Sequence, residues 1–477
     1  MKKRTKILAT VGPASDSLEM LVKLIRAGVN VFRLNFSHGT HEQHLIVLNR
    51  IREAMNITEL VVGVLQDISG PKIRIGNLEK NFELKEDDTI LFSKSESIGT
   101  QISPNEYTVC INYPTVLEQL HIDDYIYLYD GIIRTKVIDI SQEGVKVRVE
   151  NRGILSSKKG VNFPNTRLGV DVLTQKDRKD IKWGVENGVD FMAISFVQSA
   201  QDMINARKIV ISHGGKQNLI AKIEKFDAIE NIDEIIKHSD GLMVARGDLG
   251  IEVPYYEVPN IQKMLISKAN DASIPVITAT QMLLSMTSSQ RATRAEISDI
   301  ANAVMDGTDA VMLSEESAVG EHPILAVKTM FETIAETEKR FKYYRYAGFD
   351  KVDTGDTISE SAVRLSKDLN ADGIFAITSS GTSARKLVRY RPKNTIYAIA
   401  HDESVRGQMT LSWGVIPLMY VNEGTLEYIV STFMKKGLQD GLLQRERNYI
   451  LTAGHPIGKA GSTNMIRVIT SEDMKLY

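Results

Sequence analysis

At 477 residues the chain is too long for one ordinary core and suggests two to four domains. Its 43% hydrophobic and 25% charged content is that of a water-soluble globular protein, and a formal net charge of −2 offers no general attraction to nucleic acid or anionic lipid. The single cysteine, Cys110, excludes an intrachain disulfide and a cysteine-ligated zinc site and fits a reducing compartment. The opening MKKRTKILATVGP is basic and then apolar, but the apolar run breaks at Gly12-Pro13, short of a signal-peptide core. No stretch approaches the roughly eighteen apolar residues of a membrane span. A cytoplasmic protein with neither nucleic-acid nor membrane partners is expected.

Two kinds of segment alternate through the first two-thirds. Short β-rich apolar runs are TKILATVG (5–12), VNVFRLNF (29–36), LVVGVLQD (60–67), VDFMAISF (189–196), LIAKIE (219–224), GLMVAR (241–246), PVITAT (275–280) and AVMLSE (310–315). Helical patterns lie between most of them: Ser17–Ala27, Thr40–Met55, Ala200–Ser212, Ala228–His238 and Pro323–Lys339. Ser15-Asp16 ahead of Leu18, and Pro323 in a first turn, are helix-start signals. Eight near-continuously apolar strands alternating with helices predict a closed parallel (β/α)8 TIM barrel in an α/β protein.

One crossover differs. Between the third strand and a helix near Lys176–Glu186, the segments DTILFSK, YIYLYD, IIRTKVIDI and GVKVRVE are short and alternating, with turns at Asp130-Gly131 and Glu143-Gly144. That texture predicts a small antiparallel β domain inserted in a barrel loop. After Phe341 a polar stretch, KYYRYAGFDKVDTGD, reads as a linker. Beyond it a helix (Ile358–Leu369), the strand GIFAITS, a helix (Ala384–Tyr390) and the strands TIYAIA, VIPLMY and YILTAG predict a separate, doubly wound α/β domain. The expected domains are a barrel from 1–69 and 170–341, a lid from 70–169, and a C-terminal regulatory domain from 353–477.

Active sites of such barrels are built where strands end, and here those ends are well supplied. The second strand runs into Arg33-Leu34-Asn35-Phe36-Ser37-His38, the third ends in Asp67 and the fourth in Ser195. The fifth has Lys222-Ile223-Glu224, the sixth Ala245-Arg246-Gly247-Asp248, the seventh Thr278-Ala279-Thr280, and the eighth Ser314-Glu315-Glu316. Lys222 and Glu224 share one strand face, about 7 Å apart along the chain, so an ammonium and a metal-bound carboxylate could hold one ligand. Glu224 and Asp248 could supply hard oxygen ligands that leave most Mg²⁺ positions to water and substrate. A buried structural salt bridge would explain Lys222 and Glu224 alone, but not Arg33, Asp248 and Thr280 as well.

The ordered runs ATVGPAS (9–15), FRLNFSHG (32–39), GPKIRIG (70–76), SKKGVN (157–162), AKIE (221–224), MVARGDLG (243–250), TATQML (278–283), TRAEISDIANAVMDGTDAVMLSEE (293–316) and YRP (390–392) resemble the signature segments of the pyruvate kinase family. The resemblance covers barrel, insert and C-terminal domain. It implies a glycolytic phosphotransferase that moves the phosphoryl group of phosphoenolpyruvate to ADP, with Mg²⁺ or Mn²⁺, as a homotetramer. It further implies that Arg33 holds the substrate phosphate with help from Arg74, that Glu224 and Asp248 bind the metal, and that the amides of Ala245, Arg246 and Gly247 receive the substrate carboxylate. Lys222 would neutralise the transferring phosphoryl group and the enolate oxygen, Ser195 would assist the phosphoryl end, and Thr280 would belong to the proton route to the enolate carbon. Pro13, Asn35, His38 and Lys159 match positions that contact the nucleotide, under an insert that swings shut to exclude water.

Two further expectations rest on the same resemblance. Potassium-requiring members hold the ion with residues matching Asn35, Ser37 and Asp67 and the carbonyl at the position of Ile68, but carry glutamate where this chain has Lys72 and threonine where it has Ile68. Members with lysine there tend to work without the ion, since an ammonium supplies its charge; this chain is therefore expected not to need K⁺. In the C-terminal domain, TSSGTSAR (378–385) joins a strand to a helix and offers hydroxyls and amides to phosphate. It matches the family loop for a phosphorylated effector, Thr378, Ser379, Ser380, Gly381, Thr382 and Ser383, with GHPIGKAGSTN (454–464) as a second loop. Serine at 379, often lysine in sugar-bisphosphate-regulated relatives, leaves the effector open. The competing readings are another Mg²⁺-dependent phosphoenolpyruvate- or pyruvate-handling barrel, against which the SKKGVN and TATQML segments speak, and a catalytically dead sugar-phosphate sensor, against which the retained Lys222, Glu224, Asp248 and Thr280 speak.

Overall fold

The structure, a computed structural model, describes residues 3–477 except 165, 168, 170, 347, 350, 352, 422, 423, 455–460 and 462. Eight parallel strands close into a barrel: Lys6–Thr10, Val31–Asn35, Gly63–Asp67, Phe191–Ile194, Asn218–Ile223, Gly241–Ala245, Val276–Ala279 and Ala310–Leu313. Each pairs with its neighbour in the chain, and the eighth with the first. The strands lack a polar face because both faces are covered. Leu8, Val31, Leu65, Phe191, Ile220, Met243 and Ile277 fill the barrel, while Ile7, Phe32, Val64 and Met192 join the core under the surrounding helices.

Local signals set most helix ends, with two departures from expectation. The first helix, Leu18–Ala27, is capped by Ser17, whose Oγ accepts from the Met20 amide at 3.3 Å. Ser15 is used earlier, its hydroxyl accepting from the Gly12 amide at 3.2 Å. The helix expected over 228–238 is instead two, Phe226–Glu230 and Ile232–Lys237. They break at Asn231, a poor helix-interior residue whose side-chain amide is instead tied to the Gln198 carbonyl at 2.9 Å.

The insert forms a seven-stranded and a two-stranded sheet around its own core, which includes Phe82, Phe92, Ile126, Val147 and Phe163. One pairing departs from the antiparallel expectation. Strand Thr89–Ser93 runs parallel to Glu106–Cys110, because the connection of about a dozen residues between them is long enough to cross over.

In the C-terminal domain five strands lie in the order Val415–Tyr420, Thr395–Ala400, Gly373–Thr378, Tyr449–Gly454 and Thr463–Ile469, parallel except the last. Leu387 and Trp413 pack on one face and Phe433 and Met434 on the other, as a doubly wound sheet requires. The first helix of this domain starts at Thr354 rather than Ile358, because Asp353 caps it in a reciprocal box with Asp356. From the expected linker, Tyr343, Tyr344, Tyr346 and Phe349 pack against that core.

This domain docks on the barrel mouth opposite the site. Leu411 joins the barrel-interior cluster as a plug, and Arg391 makes a buried ion pair with Asp309 at 2.9 Å. Gly407 sits where any Cβ would collide with the Asp190 carboxylate. Among the described residues no helix is long and apolar enough to cross a membrane.

Candidate active site

The C-terminal ends of strands two to five bring four groups around one buried carboxylate. Asp67 Oδ2 accepts from Arg33 Nε at 2.6 Å and lies 2.6 Å from Arg33 Nη2, while Oδ1 lies 3.1 Å from Lys222 Nζ. Burial alone would raise the Asp67 carboxyl, but the Lys222 ammonium and Arg33 guanidinium outweigh it and hold it below the usual range. Lys222 also lies 2.9 Å from Glu224 Oε1 and donates to Ser195 Oγ at 2.6 Å. Burial disfavours its charge, yet Asp67 and Glu224 prevail and push its ionisation above that of an ordinary lysine. Ser195 passes the chain of bonds on, donating to the Ile68 carbonyl at 2.6 Å. Arg33 reaches the first strand as well, through Thr10 Oγ1 at 3.0 Å.

Glu224 is the weak member of this network. Its Oε2 accepts from the Phe196 amide at 2.9 Å, but burial, together with repulsion from Asp248, raises its carboxyl despite the neighbouring Lys222. A buried carboxylate raised by burial and by a second carboxylate beside it is a donor that a hard divalent cation relieves. The residues present thus fit Mg²⁺ or Mn²⁺.

Asp248 lies in the first turn of the helix Arg246–Glu252, whose N-cap is Ala245 and which has no side-chain cap. Its leading amides are therefore available to an anion, except that the Gly247 amide donates to Thr280 Oγ1 at 2.8 Å. The Arg246 side chain turns away from the cleft to Asp299 at 2.7 Å and the Thr280 carbonyl at 2.7 Å. Thr280 has φ 69° and Gln281 φ 56°, a left-handed conformation that a β-branched residue adopts only under constraint.

The cleft beside Asp248 is walled on its far side by Lys72, Asp130 and Asn162 of the insert. Lys72 Nζ is 4.0 Å from Asp130 Oδ1, both half-exposed. Of the groups expected to face a potassium ion, three have an internal partner: Asp67 in its two ion pairs, Ile68 through Ser195, and Asn35 Oδ1 through the Ser37 amide at 3.1 Å. Arg74 Nη1 donates to the Lys158 carbonyl at 3.0 Å and lines a cavity within the insert instead of joining Lys222. Pro13, Ser37 and His38 are exposed on the loops after the first two strands, and Lys159 of the insert lies over the Tyr129 ring at 3.8 Å.

Two residues escaped the sequence reading. Lys225 and Glu252 form a buried ion pair at 2.8 Å in the floor of the cleft, tying the strand end that carries Glu224 to the helix that carries Asp248. Lysine directly after Glu224 was the only signal, and its partner lies 27 positions on.

In the C-terminal domain, Thr378 Oγ1 accepts from the Gly381 amide at 2.9 Å, Ser380 and Thr382 hydroxyls are 3.0 Å apart, and Ser383 Oγ is 2.5 Å from Thr463 Oγ1. Ser379 is half-buried. Gly381, at φ 81°, precedes a helix, Thr382–Arg389, without a side-chain cap. Of the second expected loop, 455–460 and 462 lie outside the described residues.

Comparison with known proteins agrees with this geometry along the whole chain. The barrel-domain model of pyruvate kinase matches residues 2–327 and the alpha/beta-domain model of pyruvate kinase matches 356–469. A pyruvate kinase of Geobacillus stearothermophilus is 41% identical over 482 residues, spanning 99% of this chain and 81% of its own length. One from Staphylococcus aureus (strain MRSA252) is 40% identical over 474 residues, spanning 98% and 80%. A crystal structure of a pyruvate kinase from Cryptosporidium parvum superposes with a TM-score of 0.91 at 34% identity, covering 98% of this chain and 96% of that one. With family models matching both the barrel and the C-terminal α/β domain, and relatives 41% and 40% identical over nearly all of its length, the chain belongs to the pyruvate kinase family.

Proposed function

We propose that the chain transfers the phosphoryl group of phosphoenolpyruvate to ADP, giving ATP and an enolate that is then protonated to pyruvate. The observation that carries this reading is the Lys222 ammonium held between Asp67 and Glu224, with Arg33 on the far side of Asp67. Phosphoryl transfer asks for positioning and for neutralisation of equatorial oxygens more than for covalent work. Lys222 and Arg33 bring two fixed cations to the transferring group, Ser195 orients Lys222, and Lys222 remains to stabilise the enolate oxygen. The leading amides of the Ala245–Gly247 turn receive the substrate carboxylate, as helix starts receive anions, with the Gly247 amide exchanging Thr280 Oγ1 for it. Mg²⁺ or Mn²⁺ held by Glu224 and Asp248 would supply Lewis-acid charge to phosphate and carboxylate. Thr280, whose hydroxyl donates to the Ala279 carbonyl at 2.7 Å, relays a proton from water to the enolate carbon.

The nucleotide lies between Pro13, Asn35 and His38 of the barrel and Lys159 of the insert, which closes as a lid and brings Arg74 to the mouth. Full activity without K⁺ is supported by the internal partners of Asp67, Ile68 and Asn35. Lys72, facing Asp130, reaches the phosphate only with the lid closed. Residues 378–383 bind a phosphorylated effector, supported by the uncapped helix start behind Gly381. A homotetramer and a cytoplasmic location complete the reading. A lactate-dehydrogenase-coupled assay with phosphoenolpyruvate, ADP and Mg²⁺ tests it; no turnover under those conditions would refute it.

A further inference from the structure

Lys225 and Glu252 take no part in the chemistry proposed above, yet each belongs to a segment that carries a proposed metal ligand. Lys225 follows Glu224 directly. It stands at the N-cap of the helix Phe226–Glu230 without giving that helix a side-chain cap, so its side chain reaches elsewhere. Glu252 ends the helix Arg246–Glu252, one turn beyond Asp248 and on the same helix face. The ammonium and the carboxylate meet at 2.8 Å with side chains 5% and 4% exposed, and both line the cleft beside Asp248.

The surroundings single out this pairing. Asp227, a second acid that feels the Lys225 charge, is 3.3 Å from Arg167. Burial raises the Glu252 carboxyl, and it is opposed by Lys225 and by the Asn162 side chain of the insert. Asn162 ends the short strand Val161–Asn162 and lines the same cleft. Glu252 therefore ties together the strand end of Glu224, the helix of Asp248 and the insert. A buried ion pair is by itself a poor stabiliser, because desolvating both charges offsets much of their attraction. It does fix the separation of the two segments that bear it. Groups that hold metal ligands in place typically alter metal affinity by about 10- to 100-fold when removed.

We propose that Lys225 and Glu252 are positioning residues that brace Glu224 against Asp248 at the spacing a divalent cation needs, and that through Asn162 they couple the cation's hold to the position of the insert. The inference deepens the proposed function and rests on its assignment of Glu224 and Asp248 to the metal.

The test measures Mn²⁺ binding to the purified full chain without substrate, from the electron paramagnetic resonance of the free ion. Lys225→Met combined with Glu252→Gln removes both charges together, so the double variant should melt near the unmodified chain. Its Mn²⁺ dissociation constant should nevertheless rise about tenfold or more. Glu252→Asp keeps the charges but draws the carboxylate back by one methylene, and should weaken Mn²⁺ binding even if the double variant does not fold. A merely structural pair would move Tm and leave the Mn²⁺ affinity of the folded variants unchanged. Mn²⁺ should also slow amide hydrogen exchange around Val161–Asn162 in the unmodified chain, and lose that effect in Asn162→Ala. Unchanged Mn²⁺ affinity in the Glu252 variants, or exchange in the insert that ignores Mn²⁺, would overturn the proposal. Glu224→Gln separates the two levels of inference. If it binds Mn²⁺ as tightly as the unmodified chain, the metal assignment falls and the brace with it; if it loses Mn²⁺ while the Glu252 variants keep it, the brace alone falls.

Discussion

At the scale of single residues, the site is a charge network in which each member is set by its neighbours. Lys222 touches Asp67, Glu224 and Ser195, and Lys222→Met removes the proposed main stabiliser of the transferring group. Turnover is expected to fall by at least about a thousandfold, a loss of about 4 kcal/mol in the transition state. The same change leaves Asp67 and Glu224 buried with one cation fewer, so the variant should also unfold more easily, by about 3 kcal/mol. Added Mg²⁺ should restore more Tm to it than to the unmodified chain, because Glu224 and Asp248 remain to bind the metal. Single-turnover kinetics and differential scanning fluorimetry read both effects, and near-normal turnover would remove Lys222 from the mechanism.

At the scale of elements, the informative contacts are those between the underside of the barrel and the segment 407–413. Asp190, ahead of the fourth strand, accepts from the Val64 amide at 2.7 Å and faces Gly407. Burial pushes its carboxyl up to about 7, which that amide and Arg52 only partly oppose. The folded state therefore binds this proton more tightly than the unfolded one, whose carboxyl titrates near 4. Stability from this group is full below about pH 4, declines as the pH rises to about 7, and is flat above. Asp190→Asn keeps an acceptor for Val64 and has no charge to bury. It should raise Tm at pH 8 and do nothing at pH 4, as melts across that range would reveal. Leu411, the plug in the barrel, is fully buried; Leu411→Ala should cost about 2–5 kcal/mol by leaving a cavity, measured by denaturant unfolding.

On the scale of the whole molecule, the C-terminal domain carries both the proposed effector loop and Leu411, the plug in the barrel interior. A Cβ at Gly381 would collide with Met409, two residues before Leu411, so ligand-driven movement of the loop has a packed route to the barrel. A phosphorylated metabolite bound at 378–383 is accordingly expected to shift the phosphoenolpyruvate saturation curve. Replacing Ser380 and Ser383 by Asp should abolish the shift by repulsion while basal turnover survives; a panel of sugar phosphates and AMP that leaves the curve unmoved would deny the loop a regulatory role. Turnover should be complete in tetramethylammonium buffer free of sodium and potassium. Stimulation by K⁺ at constant ionic strength would sink that expectation.

Much of this was legible in the residues themselves. Uninterrupted apolar runs such as FMAI (191–194) can be buried on both faces only in a parallel sheet, so the barrel and its order followed from periodicity, and the polar strand ends pointed to Arg33, Asp67, Ser195, Lys222 and Glu224. Local capping chemistry placed most helix starts, though the choice between Ser15 and Ser17 needed the turn at Gly12. What only the tertiary structure decided are relations between segments far apart in the chain: the Lys225–Glu252 pair, the turn of Arg246 towards Asp299, the parallel pairing within the insert, and the insertion of Leu411 into the barrel. Periodicity reports that a side chain is buried but not against what, and the partner of a buried charge is chosen by the fold that brings the two together.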